Sequence, residues 1–291
     1  DEALRRFEAL AAHLQEPTAW NNLAWTLCEH GGDLQKARQF AESAVDAHAA
    51  RLSSGTLATG AIEQALATRS AAAALDTLGW IHHRLGDGGK ALTLVQGSWN
   101  LFRSHEVALH LGTLLEARQE KEQARRVYSL ALLERNHRND TRSAATEQAL
   151  RKRLEALCGG KAPAEQAINR ARSLDEESRT VKLPFKPKVD VMLPVTLAFG
   201  TKNQVLEVQI TGDASSCPGL SDILKTATYP PFLSDQLPLR RAVRSGVVVA
   251  LAGGEAMLTL IDTLSGAPLT FGGFRRASTP PPTPSRRNQK R

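Results

Sequence analysis

The chain has 291 residues, 42% of them hydrophobic and 23% charged, which is enough apolar material for more than one buried core. Its formal net charge of +7 suggests a nucleic-acid partner, but six basic residues and no acidic residue lie in the last seventeen positions. The remaining residues carry only +1 (7 − 6), so the charge favours a basic tail without a specific partner over a nucleic-acid site.

Cysteine spacing and motif content exclude several further classes of protein. Cys28, Cys158 and Cys217 are far apart and form neither a CxxC metal motif nor a dense disulfide framework. No stretch approaches the roughly 18 consecutive apolar residues that cross a bilayer, so we expect no transmembrane segment. We find no carboxylate pair, HExxH motif, Ser/His/Asp order or phosphate-binding glycine loop, so we expect no catalysis, metal or cofactor in this chain.

Three stretches in the first half of the chain repeat one pattern, at residues 20–44, 75–98 and 108–131. Small residues recur at Gly79 and Gly112 in the first helix of a unit and at Ala91 and Ala124 in the second, and both steps are 33 residues. Small side chains let two antiparallel helices approach closely, so these positions mark helix crossings. A helix pair repeated at about 34 residues is the tetratricopeptide (TPR) pattern, which predicts an α-helical solenoid.

The second half of the chain has strand-forming residues in place of helix-forming ones. VDVMLPVTLAFG and VLEVQITGD flank a TKN turn and predict one hairpin, while RRAVRSGVVVAL and AMLTLIDTL predict another. SDILKTATY lies between the hairpins and predicts a short amphipathic helix. The preceding stretch, APAEQAINRARSLDEESRTVKL, predicts a helix that runs into this domain. The expected fold class is therefore multidomain, with a TPR solenoid followed by a small ββαββ domain of the α+β class.

The repeat and the change in composition divide the chain into seven segments. The first unit lacks its first helix, so we expect a fragment of a longer protein. The segments are the second helix of a truncated TPR (1–16), a TPR unit (17–50), a helical insertion interrupted by Gly55 and Gly60 (51–71), two TPR units (72–138), closing and linker helices (139–182), the α+β domain (183–270) and a disordered basic tail (271–291).

The first helices of TPR units line a concave surface on which ligands bind in TPR proteins. The equivalent positions here define a candidate groove: Asn21, Trp25, Glu29, Asp76, Trp80, His83, Arg84, Leu109, Thr113 and Glu116. Trp25 and Trp80 occupy the same position in two units, and aromatic residues often dominate binding energy. The alternative is that both tryptophans only pack between helices and that the insertion keeps them apart. His82 and His83 point about 100° apart on a helix, which disfavours a shared metal ion.

Several stretches resemble the C-terminal portion of large bacterial envelope proteins that carry a transglutaminase-like domain upstream. They are ATRSAAAALDTLGWIHHRLGD, GSWNLFRSHEVALHLGTLLEARQEKEQARRVYSLAL, RSLDEESRTVKLP, and VLEVQITGD with RAVRSGVVVAL. The last part is also similar to the ββαβ arrangement of TonB C-terminal domains, which bind other envelope components. Ala250 stands where the family has the first of two cysteines, and no second cysteine follows, so the resemblance implies that a disulfide is missing here.

The groove and the resemblance together predict a protein–protein interaction scaffold of the bacterial periplasm or cell envelope, with a peptide or a partner protein as ligand. The alternative is the regulatory or structural C-terminal part of a transglutaminase-like enzyme, whose catalytic residues would lie upstream of Asp1. A third hypothesis is that residues 275–291 bind an anionic surface. The oligomeric state stays open.

Overall fold

The computed structural model of the protein describes residues 16–133 and 141–261, together with Ala9. The first predicted segment, apart from Ala9 and Glu16, and the basic tail lie outside these residues. Helices occupy the described chain up to residue 179, which we call the helical region. They are α1 (Pro17–Glu29), α2 (Leu34–Ser54), α3 (Leu57–Arg84), α4 (Gly88–Leu101), α5 (His105–Ala117), α6 (Lys121–Ala131), α7 (Thr141–Cys158) and α8 (Lys161–Arg179).

A tight turn between α3 and α4 illustrates how the helices are delimited. Gly86 has φ +86°, in the left-handed region that favours glycine, and it follows the last residues of α3. Asp87 precedes α4, and its carboxylate accepts a hydrogen bond from the backbone N–H of Lys90 at 3.1 Å. Because the turn is short, α3 and α4 pack as an antiparallel helix pair.

The helix pairs cross at the small residues that the repeat marks. A Cβ added to Gly79 in α3 would lie 2.6 Å from Val95 Cγ2 of α4, and Ala91 of α4 is fully buried. A Cβ on Gly112 in α5 would overlap the ring of Tyr128 in α6. The predicted close approach of first and second helices is therefore confirmed at both positions.

The predicted insertion forms no separate helix. Its first residues end α2, which has 21 residues, and the others begin α3, which has 28. Gly55 lies between the two helices, and Gly60 adopts φ 174° and ψ 70°, which kinks α3 near its start. Even with helices of this length, none within the described ranges is long and apolar enough to cross a membrane.

A five-stranded antiparallel sheet follows the helical region, with the strand order β1-β5-β4-β2-β3. We call residues 180–261 the sheet domain. Its elements are β1 (Thr180–Leu183), β2 (Val191–Gly200), β3 (Val205–Ile210), α9 (Leu220–Thr226), β4 (Arg241–Ala250) and β5 (Ala256–Ile261).

The sequence predicts that the linker helix continues through Leu183, and this prediction is wrong. The predicted order ββαββ consequently lacks the first strand, β1. Helix α8 ends at Arg179, and β1 pairs with β5, so that Val181 lies opposite Leu258. The physical reason is that Val181 and Leu183 are buried while Lys182 between them is exposed, which is the two-residue period of a strand. The coarser expectation, a helical part followed by a small α+β domain, agrees with the structure.

The two faces of the sheet have different neighbours. Phe199 on one face packs with Tyr229 and Phe232, in a core that also includes Leu220 and Leu224 of the short helix α9. On the other face, Ala198 and Val243 contact Leu57 and Ala65 of α3. In addition, Leu233, Leu237 and Leu239 of the loop before β4 belong to the same buried cluster as the helical region. The sheet domain is therefore packed directly on the helices.

Candidate binding site on the first helices

Six of the ten predicted groove residues lie together on α1 and α3, and three of them, Trp25, Asp76 and Trp80, contact one residue of α5. The six are Trp25, Glu29, Asp76, Trp80, His83 and Arg84, and the α5 residue is His110. The His110 ring lies 4.2 Å from that of Trp80 and 5.5 Å from that of Trp25, measured between centroids. We call Trp25, Trp80, His83 and His110 the ring cluster. The insertion therefore does not keep the two tryptophans apart.

A buried Asp–His pair holds the ring cluster in place. His110 Nδ1 lies 3.0 Å from both carboxylate oxygens of Asp76, and each residue is only 7% exposed. An ionised carboxylate can only accept hydrogen bonds, so Nδ1–H of His110 donates to Asp76. The carboxylate thereby fixes the orientation of the imidazole against Trp80.

The exposed edge of the cluster carries one acid and one base. Glu29 of α1 accepts a hydrogen bond from Trp80 Nε1 at 3.2 Å, and its carboxylate lies 3.8 Å from Arg84 Nη1 of α3. Burial lowers the pKa of His83, and the nearby His110 and Arg84 lower it further. The lowered pKa favours the uncharged form of the His83 imidazole, which contacts Trp80 with ring centroids 4.8 Å apart.

The remaining predicted residues do not join the ring cluster. Glu116 accepts hydrogen bonds from Tyr128 Oη at 2.6 Å and from Arg153 Nη1 at 3.0 Å, which connects α5 to α6 and α7. Burial, together with the Glu116 contact, raises the pKa of Tyr128 above its usual range. Thr113 donates to a carbonyl of its own helix, that of Leu109. The Glu116 contacts therefore stabilise the packing of α5 on α6 and α7.

Asn21 and Leu109 have surroundings of their own. The Asn21 side chain is half-buried on α1, and its Oδ1 atom is buried without a hydrogen-bond partner among the described residues. Leu109 is half-buried and packs against the core that α5 shares with α6 and α7. Neither residue contributes a ring or a charge to the exposed edge formed by Glu29 and Arg84.

The sequence prediction missed His110, the residue at the centre of the cluster. The repeat step of 33 residues aligns Asp76 with Leu109, and His110 comes one position later. Asp76 and His110 are 34 residues apart, which is about one repeat, and the first helices of adjacent units lie side by side. The repeat spacing alone does not decide whether Leu109 or His110 is the neighbour of Asp76.

The cluster offers aromatic surface and hydrogen-bonding groups at its edge. Within residues 16–133 and 141–261, no three His, Cys, Asp or Glu side chains are placed to hold a metal ion. His82, which the sequence sets next to His83, is 6% exposed and lies near Asp87, with Nδ1 3.7 Å from the carboxylate.

Comparisons with protein-family models and with curated proteins give no match to this chain.

Proposed function

We propose that the protein is a protein–protein interaction scaffold, in which the first helices of a TPR-like solenoid bind a peptide segment of a partner. The ring cluster carries this proposal, because it gathers two tryptophans from different helix pairs onto one half-buried surface. We further propose that the protein works in the bacterial cell envelope as part of a longer envelope protein. This part of the proposal is supported by the sequence resemblance alone.

Two properties of the cluster favour peptide binding. Its rings are already held by Asp76 and Glu29, so a ligand loses little affinity to the ordering of side chains. The Trp25 and Trp80 rings remain half-buried, which leaves aromatic area for contact with a ligand. The edge charges of Glu29 and Arg84 are exposed and can pair with a peptide's polar groups.

The experiment is a selection of twelve-residue peptides from a random display library on the immobilised full chain. The selected peptides are synthesised with a fluorophore, and their affinity is measured by fluorescence anisotropy. We expect the variant Trp80→Ala to lose at least tenfold in affinity, as for removal of about 1.4 kcal/mol at an interface anchor. Trp25→Ala should weaken binding in the same direction.

Two controls separate binding from folding. Met192→Ala removes an exposed apolar side chain from the sheet domain, where Met192 is 60% exposed, and should keep full affinity. Circular dichroism gives the folded fraction, by which every affinity is normalised. The groove assignment is wrong if the selected peptides bind Trp25→Ala and Trp80→Ala as tightly, per folded molecule, as they bind the unaltered protein.

A further inference from the structure

The helices α3 and α4 form a step, because one is much longer than the other. Helix α3 begins at Leu57 and has 28 residues, whereas α4 has 14 and ends at Leu101. Ser98, near the end of α4, donates a hydrogen bond to the carbonyl of Ala72, in the middle of α3. Residues 57–69 of α3 therefore extend past the end of α4. This overhang consists entirely of residues from the predicted insertion at 51–71.

The sheet domain supplies an acceptor to the start of the overhang. The carboxylate of Glu207 in β3 accepts a hydrogen bond from the backbone N–H of Leu57 at 2.7 Å. A helix N-terminus has free N–H groups and a partial positive charge, so a carboxylate satisfies both. The second oxygen of Glu207 lies 2.8 Å from Nη1 of Arg241, which is 6% exposed.

A second contact lies near the other end of the overhang, at Thr68. The backbone N–H of Val243 in β4 donates to the hydroxyl oxygen of Thr68 at 2.9 Å. Thr68 is 2% exposed, and its own hydroxyl donates to the carbonyl of Gln64 at 3.0 Å. Around this bond, Leu57 and Ala65 pack on Ala198 and Val243. Without the hydroxyl, the Val243 N–H would be buried and unsatisfied, which is costly.

The third contact is at the end of α4, where the step begins. The guanidinium of Arg244 in β4 donates from Nη1 to the carbonyl of Leu101, the last residue of α4. A helix C-terminus has free carbonyls and a partial negative charge, which a guanidinium complements. On α4 itself, the side chain of Leu237 occupies the space at Gly97, where an added Cβ would lie 2.6 Å from Leu237 Cδ2.

We infer that the insertion is a built-in docking platform, where the contacts of Thr68 and Glu207, together with that of Arg244 at the end of α4, join the helical region and the sheet domain into one cooperative folding unit. The charges have the sign that each helix end requires: an acid at the start of α3 and a base at the end of α4. The sheet domain thus depends on the overhang, and removal of these contacts lets it open while the helices stay folded.

The test compares two double variants of the full chain. Thr68→Val with Glu207→Gln removes the hydroxyl and the charge from the platform. Thr93→Val with Glu255→Gln is the matched control, because the Thr93 hydroxyl on α4 also donates to the carbonyl four residues earlier, that of Gly89, and Glu255 is exposed. Tryptophan fluorescence reports on the helical region, which contains all four tryptophans, and iodoacetamide modification of the buried Cys217 reports on the sheet domain.

In the unaltered protein and the control, we expect both signals to change at the same urea concentration. In the platform variant, Cys217 should react at least tenfold faster than in the control before tryptophan fluorescence changes. Coincident curves in the platform variant, at any midpoint, would overturn the inference, and so would separate curves in the unaltered protein. If the double variant does not fold, Thr68→Val against Thr93→Val gives the same comparison.

Discussion

The indole ring of Trp80 stacks on the imidazole ring of His110, with centroids 4.2 Å apart and planes 16° apart. Trp80 belongs to α3 and His110 to α5, so the stack connects first helices of two successive helix pairs. His110 also contacts Trp25 of α1, and its Nδ1 is held by Asp76. Three helices thus converge on one imidazole, which makes His110 both a packing residue and the base of the proposed groove.

The buried pair of Asp76 and His110 should show strong energetic coupling. His110→Ala leaves the Asp76 carboxylate buried without its partner, and we expect it to lower the free energy of unfolding by about 3 kcal/mol. Asp76→Ala should cost a similar amount, but the double variant should cost clearly less than the sum of the two. Urea unfolding followed by circular dichroism measures the cycle. Additive single effects would contradict the direct interaction.

Glycine-to-alanine changes ten residues apart should have opposite effects on stability. Gly79→Ala brings a methyl group within 2.6 Å of Val95 Cγ2, and we expect a loss of about 1–3 kcal/mol. Gly89→Ala, near the start of α4, meets only an Asp87 oxygen at 3.8 Å, so the reduced freedom of the unfolded chain should stabilise by about 0.5–1 kcal/mol. Thermal unfolding measures both. A Gly79→Ala variant as stable as the unaltered protein would refute the close approach at Gly79.

The contacts within a helix pair could be predicted from the sequence, because they follow from residue size at a fixed spacing. Gly79 and Gly112 are small in the positions where the repeat brings two helices together, and the structure confirms both crossings. The position of Trp80 on the first helix follows from the same spacing. In contrast, the central place of His110 could not be predicted, because the alignment of two units leaves an uncertainty of one residue, about 100° around a helix.

Contacts between the helical region and the sheet domain could not be predicted from any spacing. Thr68 and Val243 are 175 residues apart in the chain, and Leu57 and Glu207 are 150 apart. The residue types within the insertion do not indicate that its helix extends past α4 and contacts a domain later in the chain. The strand β1 was missed for a different reason, since its four residues follow a long run of helix-forming residues and pair only with β5.

Stability should fall on acidification because of a buried histidine in α2. Burial lowers the pKa of His48 below its ordinary value of 6.5. Well above pH 6.5 both states are neutral at this position. As the pH falls through 6.5, the unfolded chain binds the proton before the folded protein does, so acid favours unfolding. His48→Leu should therefore lose less stability than the unaltered protein between pH 7.5 and pH 5, measured by urea unfolding. His30→Gln, an exposed control, should keep the original pH dependence.

A buried thiol should have the opposite pH dependence. Burial among the residues of α1 raises the pKa of Cys28 from 9.0 to about 11, so the unfolded chain loses this proton more readily. Folding stability is then unaffected well below pH 9 and falls as the pH rises from 9 towards 11, by about 1.4 kcal/mol at pH 10. Cys28→Ala should lack this component, so its stability should decrease less between pH 8 and pH 10. Equal decreases in both proteins would show that the Cys28 thiol ionises as freely in the folded protein as in the unfolded chain.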